Sequence, residues 1–534
     1  MSAVVSVLTT FLPEVVVLGA ALVVFLLDVV GVRRLEAVGA VSVAGSALAL
    51  GLVLADLGFA PLALLRTVGA GSVDAAPAAG SAPLYFVSSF GLVFQAVFLA
   101  ASLLVGLASL SRESREPGAP IFFGLLSLAT LGMLLVALAS DLIFLLLAIE
   151  VTSIATYLLV GYTRTGVRPL EAAMKFYVIG AVSSTLAFFG ASLLYGAYGT
   201  TNLFLIGRVA GAVGYPVLAL LGYGFLVAGL AFKTTLVPFH AWAVDVYDGA
   251  PTDVSAFLAG GSKKVGVFAF FLVFLGPVLF VHPGAPGNPF GGGPFAIGPT
   301  MQLTLGVLAV LTMTVGNVLA LLQREMKRLL AYSSISQAGY MLLGIAVGTA
   351  PALAGATFQV VAHVLMKGGA FLVVAGVAGF GIGPLVDDWR GLGPRRPLTS
   401  AAFALMLLSL AGVPLTVGFA SKFVLFSAAV DARGYFIWLA VAGLLNSALS
   451  VFYYARILKA IYFDVAEPSD VPGVPSGAVV GAAGPPPLPC GGLGYGRAAA
   501  IAAATVAIVA LGVYPQAVLG PIQTAASHFV ALGA

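Results

Sequence analysis

The sequence contains one cysteine, Cys490, and four histidines among 534 residues. A single cysteine excludes a disulfide within the chain and an iron–sulfur cluster held by cysteine thiolates. The histidines are His240, His282, His363 and His528, and none are paired at a metal-ligand spacing. We therefore expect the chain to bind no metal ion, redox centre or other cofactor of its own.

Charged residues are also scarce, at 8% of the chain, against about 25% in soluble proteins. Hydrophobic residues make up 60% of the sequence, and the mean hydropathy is +1.11. The 66 glycines and 30 prolines fit a membrane protein, because both are commoner in transmembrane than in soluble helices. Basic residues are scattered along short loops, which argues against nucleic acid as a partner. The chain is predicted to be an integral protein of the lipid bilayer.

Apolar runs long enough for a helix to cross a bilayer, about 20 residues each, occur fourteen times. They cover residues 8–31, 36–57, 84–110, 119–139, 141–162, 171–197, 215–238, 253–281, 301–322, 328–349, 353–380, 399–425, 433–463 and 497–520. These runs do not alternate as the strands of a membrane barrel do. The predicted fold is an all-α integral membrane protein with about 14 transmembrane helices.

The lysines and arginines support this count, since basic residues concentrate in inner loops. With both termini on the outer side, three basic residues fall in outer loops: Arg66, Arg208 and Arg433. Sixteen fall in inner loops: Arg33, Arg34, Arg112, Arg115, Arg164, Arg168, Lys175, Arg324, Lys327, Arg328, Arg390, Arg395, Arg396, Arg456, Lys459 and Arg497. The other five lie within spans or at their breaks: Lys233, Lys263, Lys264, Lys367 and Lys422.

One inner connection departs from this rule. The segment between spans seven and eight carries Asp245, Asp248 and Asp253 and no basic residue. We predict an irregular element near the membrane surface there.

Glu150 and Lys233 are expected to form the first functional pair. Glu150 lies about 14 Å along span five, near the middle of the bilayer, and Lys233 is its expected partner. Lys233 precedes Pro238, which breaks span seven, and His240 follows that break. Burial disfavours the charged form of a lysine, so such a group can load and release a proton near neutral pH. A static ion pair that holds two helices together is the alternative.

Span eight contains two adjacent lysines, Lys263 and Lys264. On a helix they point about 100° apart, so one should enter a polar interior and the other should be peripheral; we favour Lys263 for the interior. In span eleven, His363 and Lys367 are spaced i, i+4 and should share one face, where they are candidates for a relay. For His363, a hydrogen-bonded core histidine is an equal alternative.

Lys422 follows a second broken span, weakened by Gly412, Pro414 and Gly418. It lies five spans after Lys233. Because an odd number of spans reverses the membrane direction, spans 4–8 and 9–13 are predicted to be two inverted five-helix repeats. The predicted division is 1–118 for a three-helix region, 119–281 and 301–464 for the repeats, and 465–534 for a Gly/Pro-rich loop (468–496) and a final helix.

Four stretches of the chain resemble one membrane-protein family. They are FKTTLVPFHAWAVDVYDGAPTDVSAFLAGGSKKVGVF, AYSSISQAGYMLLG, HVLMKGGAFL and GVPLTVGFASKF. Together they resemble the antiporter-like membrane subunits of respiratory complex I over about residues 85–465. Within that family the chain is most similar to N-type chains of the bacterial NADH:quinone oxidoreductase, because it ends after span fourteen and has lysine at position 422.

The resemblance implies a subunit of a translocase enzyme in the bacterial inner membrane. Proton-handling roles would fall on Glu150, Lys233, Lys263 and Lys422, with Lys367, His363, Lys264 and His240 as further relay candidates. NADH, FMN, iron–sulfur clusters and quinone would be bound by other subunits. Expected partners are an M-type antiporter-like subunit, a small K-type subunit and the lateral helix of an L-type subunit.

Two alternatives stay open at this point. One is a subunit of a multisubunit Na⁺/H⁺ antiporter with the same fold. The other is a non-transporting membrane scaffold whose buried charges only stabilise packing.

Overall fold

The computed structural model describes residues 9–67, 73–74, 82–111, 118–163, 166–209, 215–274, 297–465 and 492–533. Cys490, His282 and most of the predicted Gly/Pro-rich loop, residues 468–491, lie outside these ranges. Within them the structure is helical, and the only extended pairing consists of three isolated β-bridges. The predicted all-α fold is confirmed.

The long helices follow one another with short connections. They are α1 Leu12–Val29, α2 Leu35–Asp56, α3 Ser89–Ser109, α4 Ala119–Leu138, α5 Leu142–Val160, α6 Val167–Tyr198, α7 Pro216–Thr234, α8 Thr252–Phe274, α9 Ile297–Leu322, α10 Met326–Val347, α11 Ala350–Ala378, α12a Pro397–Ala411, α12b Val417–Asp431, α13 Phe436–Tyr462, α14 Tyr495–Val513 and α15 Gln516–Gly533. Among the described residues, thirteen are long and apolar enough to cross a membrane. The two halves of α12 supply the remaining predicted span.

The end of the chain differs from the prediction. Span fourteen was expected over 497–520, but α14 ends at Val513 and a separate helix, α15, continues to Gly533. Pro515 has no amide hydrogen and interrupts the helical bonding at this point. α15 then packs on α3 and α11 and buries Ile522 and Ala526. Its polar residues lower its hydropathy, which is why hydropathy did not reveal it.

Three helices form the centre of the molecule. The most apolar windows of α8, α10 and α11 are 100%, 94% and 83% buried within the chain. Those of α1, α6 and α14 are mostly exposed and form the lipid-facing surface. α8 and α10 are also the least apolar of the central spans, since α8 carries two adjacent lysines and α10 carries three serines and a glutamine. Polar residues in a helix that touches no lipid indicate a polar interior.

Both predicted helix breaks are present, and each begins before its proline. α7 ends at Thr234 because Thr235 adopts a left-handed conformation with φ +62°. Pro238 lies inside the break, and a short helix, Ala241–Gly249, follows; we refer to it as the bridging helix. In α12 the break spans residues 412–416, with Gly412 at φ +94° and Leu415 at φ +66°.

Two helices also contain a π-helical turn that the sequence did not predict. The turns are Leu258–Ser262 in α8 and Val364–Gly368 in α11, and they pack against each other. A Cβ atom at Gly260 would lie 3.6 Å from the Gly368 Cα atom. The two wide turns thus cross at glycine, next to the buried lysines. Turns of this kind are frequent at functional sites.

Candidate functional site

Glu150 and Lys233, the predicted functional pair, lie near each other without forming a direct ion pair. The Glu150 carboxylate accepts a short hydrogen bond from Ser184 Oγ on α6. Lys233 Nζ donates to Ser153 Oγ on α5 at 3.0 Å, and its ammonium lies within electrostatic range of Glu150. The two charges therefore interact without the direct contact that the alternative, a static ion pair, would require. Glu150 and Ser153 lie one turn apart on α5, and the lysine donates its hydrogen bond to the Ser153 hydroxyl.

A small cavity lies between these two groups. Its volume is about 20 Å³, and its polar lining comes from Glu150, Ser153, Ser183, Ser184 and Lys233. That volume is enough for about one water molecule, provided that several polar partners surround it. One water and two rotatable hydroxyls can therefore carry a proton between the carboxylate and the ammonium.

The break after Lys233 is anchored by polar contacts. Trp242 Nε1 of the bridging helix donates to the Phe232 carbonyl at 3.2 Å, and Val237 N donates to Thr312 Oγ1 at 3.1 Å. These bonds satisfy backbone groups that a helix end leaves without partners. His240, at the start of the bridging helix, lies within electrostatic range of Lys263. The break thus positions a histidine near the first lysine of α8.

Lys263 and Lys264 are both buried, at 3% and 0% exposure. Lys263 Nζ donates to the Ser334 carbonyl at 2.7 Å and to Ser334 Oγ at 3.3 Å. Lys264 Nζ lies 2.8 Å from His363 Nδ1 and donates to the Ala259 carbonyl at 3.0 Å. The expectation that one of the pair is peripheral is wrong, because helices surround α8 on every side.

His363 and Lys367 lie within electrostatic range of each other and have different hydrogen-bond partners. His363 contacts Lys264, whereas Lys367 Nζ donates to Ser333 Oγ at 2.8 Å, and Ser333 in turn bonds Tyr454 OH. Lys367 lies in the π-helical turn that follows His363. The two residues therefore contact different helices. His363 keeps one buried nitrogen, Nε2, without a partner among the described residues.

Lys422 reaches back from α12b across the break in its own span. Its Nζ donates to the carbonyls of Leu410 at 2.8 Å and Ala411 at 3.3 Å, and to Ser447 Oγ at 2.9 Å. Those carbonyls end α12a and have no helical partner. The ammonium also lies at the negative end of the α12a dipole. The break therefore creates the lysine's binding site.

One face of α10 connects these lysines, and the sequence reasoning did not single out its residues. Ser334 accepts from Lys263, Ser333 accepts from Lys367, and the Tyr340 ring centroid lies 5.0 Å from Lys422 Nζ. Gln337, between them, accepts from Gln359 Nε2 at 2.7 Å. Positions 333, 337 and 340 share one helical face. The signal was present in AYSSISQAGY, a polar run inside a membrane span.

The path from α10 to Lys422 contains a second amide and a hydroxyl. Gln359 Oε1 accepts from Ser421 Oγ at 2.5 Å, and Ser421 directly precedes Lys422. Gln337 Nε2 and Tyr340 OH are buried and have no partner among the described residues. Such groups are ordinarily satisfied by ordered water. The region between Lys263 and Lys422 can therefore hold a hydrated relay.

A further buried carboxyl, Glu14, was also missed. It lies in α1 at 3% exposure, and its Oε1 accepts from Gln95 Nε2 at 2.6 Å. This pair belongs to the α1–α4 region, and among the described residues it forms no hydrogen bond or ion pair with the lysines. The hydrogen bond therefore links α1 to α3.

The acidic connection before α8 is neutralised by distant helices. Asp245 of the bridging helix pairs with Lys175 at 3.3 Å and Arg328 at 3.2 Å. Asp253 pairs with Arg497 of α14 at 3.2 Å, with both side chains nearly buried. The predicted irregular element is thus a short helix whose charges are compensated. No group of three or more His, Cys, Asp or Glu residues in the described part could hold a metal ion.

Comparison with known proteins identifies a family. A family profile described as "NADH:quinone oxidoreductase/Mrp antiporter, TM" matches residues 139–287 and 288–450, more than half of the chain. F(420)H(2) dehydrogenase subunit N of Methanosarcina mazei is 43% identical over 386 residues, which cover 71% of this chain and 75% of that protein. NADH-quinone oxidoreductase subunit N of Trichlorobacter lovleyi is 41% identical over 387 residues, with the same coverage of each chain.

Solved structures give the same result. A chain of respiratory complex I from Thermus thermophilus is 31% identical, covers 95% of this chain and 98% of its own length, and has a TM-score of 0.72. A chain of the Mrp complex from Dietzia sp. has a TM-score of 0.79 at 22% identity over 99% of each chain. At this identity, the similarity to the Mrp complex chain shows a shared fold and no more.

Proposed function

The chain belongs to the NADH:quinone oxidoreductase/Mrp antiporter family of membrane proteins, and we propose that it is the N-type, proton-translocating subunit of an NADH:quinone oxidoreductase. The observation that supports this proposal is the series of buried ionisable groups joined by hydroxyl and amide side chains. It extends from Glu150 and Lys233 through Lys263 to Lys422.

Each group has a distinct role in the proposal. Glu150 and Lys233 receive a proton from the inner side, through the hydroxyls and the small cavity between them. Lys263 is the central relay, and Lys422 exchanges its proton with the outer face. His240, Lys264, His363 and Lys367 are further relay positions around the centre.

Electrostatic repulsion drives the proton forward. Lys263 lies within electrostatic range of Lys264 and Lys367. Like charges several ångströms apart repel by roughly 2 kcal/mol at an effective dielectric constant of ~20. A proton arriving at Lys263 therefore favours the loss of a proton from the next lysine along the series. Electron transfer in other subunits would supply the free energy through conformational and electrostatic changes.

Redox cofactors, partners and location follow from the family. NADH, FMN, iron–sulfur clusters and quinone would be held by other subunits of the complex. An M-type subunit, a small K-type subunit and the lateral helix of an L-type subunit would contact this chain in the bacterial inner membrane. Both termini would face the outer side, and residues 119–281 and 301–464 would be the inverted repeats.

The two alternatives make different demands on the site. Na⁺ is held by oxygen ligands, as other hard cations are, whereas the groups from Lys263 to Lys422 are amines on carbonyls and hydroxyls. This favours protons as the transported ion. Dependence of transport on Na⁺ at constant pH would instead support the antiporter.

The test uses the complete complex in proteoliposomes. We expect Lys233→Ala to reduce proton translocation by on the order of 10²-fold, the lower range for loss of a proton-transfer group. Lys459→Ala, at a side chain 70% exposed, is the matched control and should translocate normally. Unchanged protons per NADH oxidised in Lys233→Ala, with poor assembly, would support the scaffold and contradict the proposal.

The composition of the complex is tested separately. The subunits that co-purify in mild detergent should include NADH-oxidising peripheral chains with flavin. A set of small membrane chains without flavin would refute the assignment, and a peripheral chain that oxidises another donor would restrict the proposal to proton translocation.

A further inference from the structure

An apolar groove, lined by none of the lysines of the series, lies beside the N-terminal helices. Its volume is about 460 Å³, and it is enclosed by α2, α3, α11 and α15. Leu50 and Leu54 of α2, Ala96 and Ala100 of α3, Val361 of α11 and Pro521 of α15 line it, among other apolar residues. The alanines make the depression because their side chains leave space between the larger ones. No titratable side chain lines it.

The groove has the depth of one bilayer leaflet. It runs from Gly58 and Phe59, just after the end of α2, down to Leu50. Eight residues of helix correspond to about 12 Å, and half of the hydrocarbon core is about 15 Å thick. Several lining side chains, Leu54 among them, are only half-buried, so the groove opens toward the hydrocarbon.

A positive charge stands at the mouth of the groove. Gly58 has φ +86°, and a Cβ atom there would lie 3.6 Å from Arg66 Nη2. The Arg66 guanidinium is exposed, and among the described residues no carboxylate lies within 4.0 Å of it. A guanidinium binds phosphate oxygens through paired N–H donors. The mouth therefore offers an unpaired anion-binding group at the level of the lipid headgroups.

We propose that this groove binds a phospholipid, with one acyl chain between α2, α3, α11 and α15 and with its phosphate on Arg66. The charge at the mouth distinguishes this occupant from a helix of a partner subunit, which would fill the apolar part and leave the guanidinium without an anion. The site is structural and separate from proton transfer. It ties α15, the helix after the last span, to the α1–α4 region through a shared ligand.

The test uses the assembled complex in nanodiscs that contain a phosphatidylglycerol with a photoactivatable group near the end of one acyl chain. Peptides carrying Leu50–Leu54, Ala96–Ala100 and Pro521 should be labelled, and unlabelled phosphatidylglycerol should compete better than phosphatidylcholine. Arg66→Gln should weaken this preference about fivefold, the contribution of one basic residue at a membrane surface. Peptides of α6 around the exposed Val182 are the internal reference for ordinary lipid contact.

A filling substitution tests the apolar part. Ala96→Phe should abolish labelling of the groove peptides, whereas Ala503→Phe, at an exposed position of α14 away from the groove, should leave it unchanged. If the Ala96→Phe variant does not assemble, the loss of lipid preference in Arg66→Gln is the deciding measurement. Two results would overturn the proposal. One is equal competition by the two lipids in the wild-type complex. The other is labelling that occurs in the isolated chain but is lost in the assembled complex, because a partner helix then covers the groove.

Discussion

The two ends of the proposed proton series are built differently. At the input end, Lys233 rests on a serine hydroxyl, and a carboxylate, Glu150, lies within electrostatic range. From the centre to the output end, Lys263, Lys264 and Lys422 each donate to a backbone carbonyl, and Lys263 and Lys422 donate to a serine hydroxyl as well. Within the described residues, no ion pair to a carboxylate involves these three lysines.

This difference has a chemical consequence. A hydroxyl both donates and accepts, so it can pass a proton by rotating, whereas a carbonyl can only accept. The input end is therefore suited to collecting protons. At the other end the carbonyls hold each ammonium in place, and repulsion among lysines moves the charge. The carbonyls that accept from Lys264 and Lys422 come from irregular backbone, since Ala259 lies in a π-helical turn and Leu410 and Ala411 end a half-helix, whereas the Ser334 carbonyl that accepts from Lys263 lies within α10.

The largest effect is expected at the centre. Lys263→Ala should lower proton translocation by on the order of 10²-fold, because the series then lacks the group that joins its two ends. Lys263→Arg should not restore it, since arginine stays protonated. Proteoliposomes with NADH as donor measure both. Lys264→Ala is the matched comparison, and full pumping by Lys263→Ala with Lys264 intact would transfer the central role to Lys264.

Removing the carboxylate should make the input end resemble the output end. In Glu150→Gln, proton arrival at Lys233 loses an electrostatic attraction of about 1–2 kcal/mol at an effective dielectric constant of ~20. Translocation should therefore slow about tenfold. Ser184, the hydrogen-bond donor to Glu150, provides the control. Ser184→Ala leaves the charge in place and should have a smaller effect, and equal losses in the two variants would argue against a role for the charge.

Two matched serine substitutions compare hydroxyl and carbonyl support directly. Ser153→Ala removes the hydroxyl that accepts from Lys233, and it should slow translocation about tenfold, the lower end of the range for a lost hydrogen bond to a charge. Ser334→Ala leaves the 2.7 Å carbonyl contact to Lys263 in place and should change the rate less than about twofold. Initial rates of NADH-driven acidification give both numbers. The reverse order would contradict the contrast between the two ends.

The smallest effect on transport is expected from a change that touches no ionisable group. A Cβ atom at Gly266 of α8 would lie 2.9 Å from the Thr234 backbone nitrogen, directly after Lys233. Gly266→Ala should destabilise the protein by about 1–3 kcal/mol and displace the input lysine. Gly260→Ala, whose Cβ meets only an ordinary contact at 3.6 Å, should be nearly neutral. Thermal unfolding of the purified complex distinguishes the two.

The fold was largely predictable because bilayer physics is strict. Each apolar run of about 20 residues must become a helix that satisfies its own backbone, so thirteen long helices and broken α12 followed from hydropathy and charge. α15 was not predicted because it combines polar residues with a buried apolar face, and a hydropathy window averages the two. The breaks were predictable from Pro238 and Pro414, although Thr235 and Gly412 begin them.

The site was predictable in its residues and less so in its contacts. A lysine in an apolar span stands out in a sequence, so every buried lysine was identified. The acceptors were not, because Ser333, Ser334 and Gln337 become partners only through the packing of α10 between α8 and α11. The π-helical turns have no clear composition signal, so the geometry of α11 between His363 and Lys367 could not be read from the sequence.

The neutralised acidic connection also bears on how the protein is made. Asp245 lies 83 residues before its partner Arg328, and Asp253 lies 244 residues before Arg497. During synthesis the bridging helix therefore reaches the membrane when only Lys175, of the two basic partners of Asp245, has been made. The bridging helix can reach its final position only after α10, and then α14, the last long apolar span, have been inserted. A chain truncated before α14 would insert most of its helices but would lack the arginine that pairs with the start of α8. Completion of the proton path is therefore delayed until translation is nearly finished.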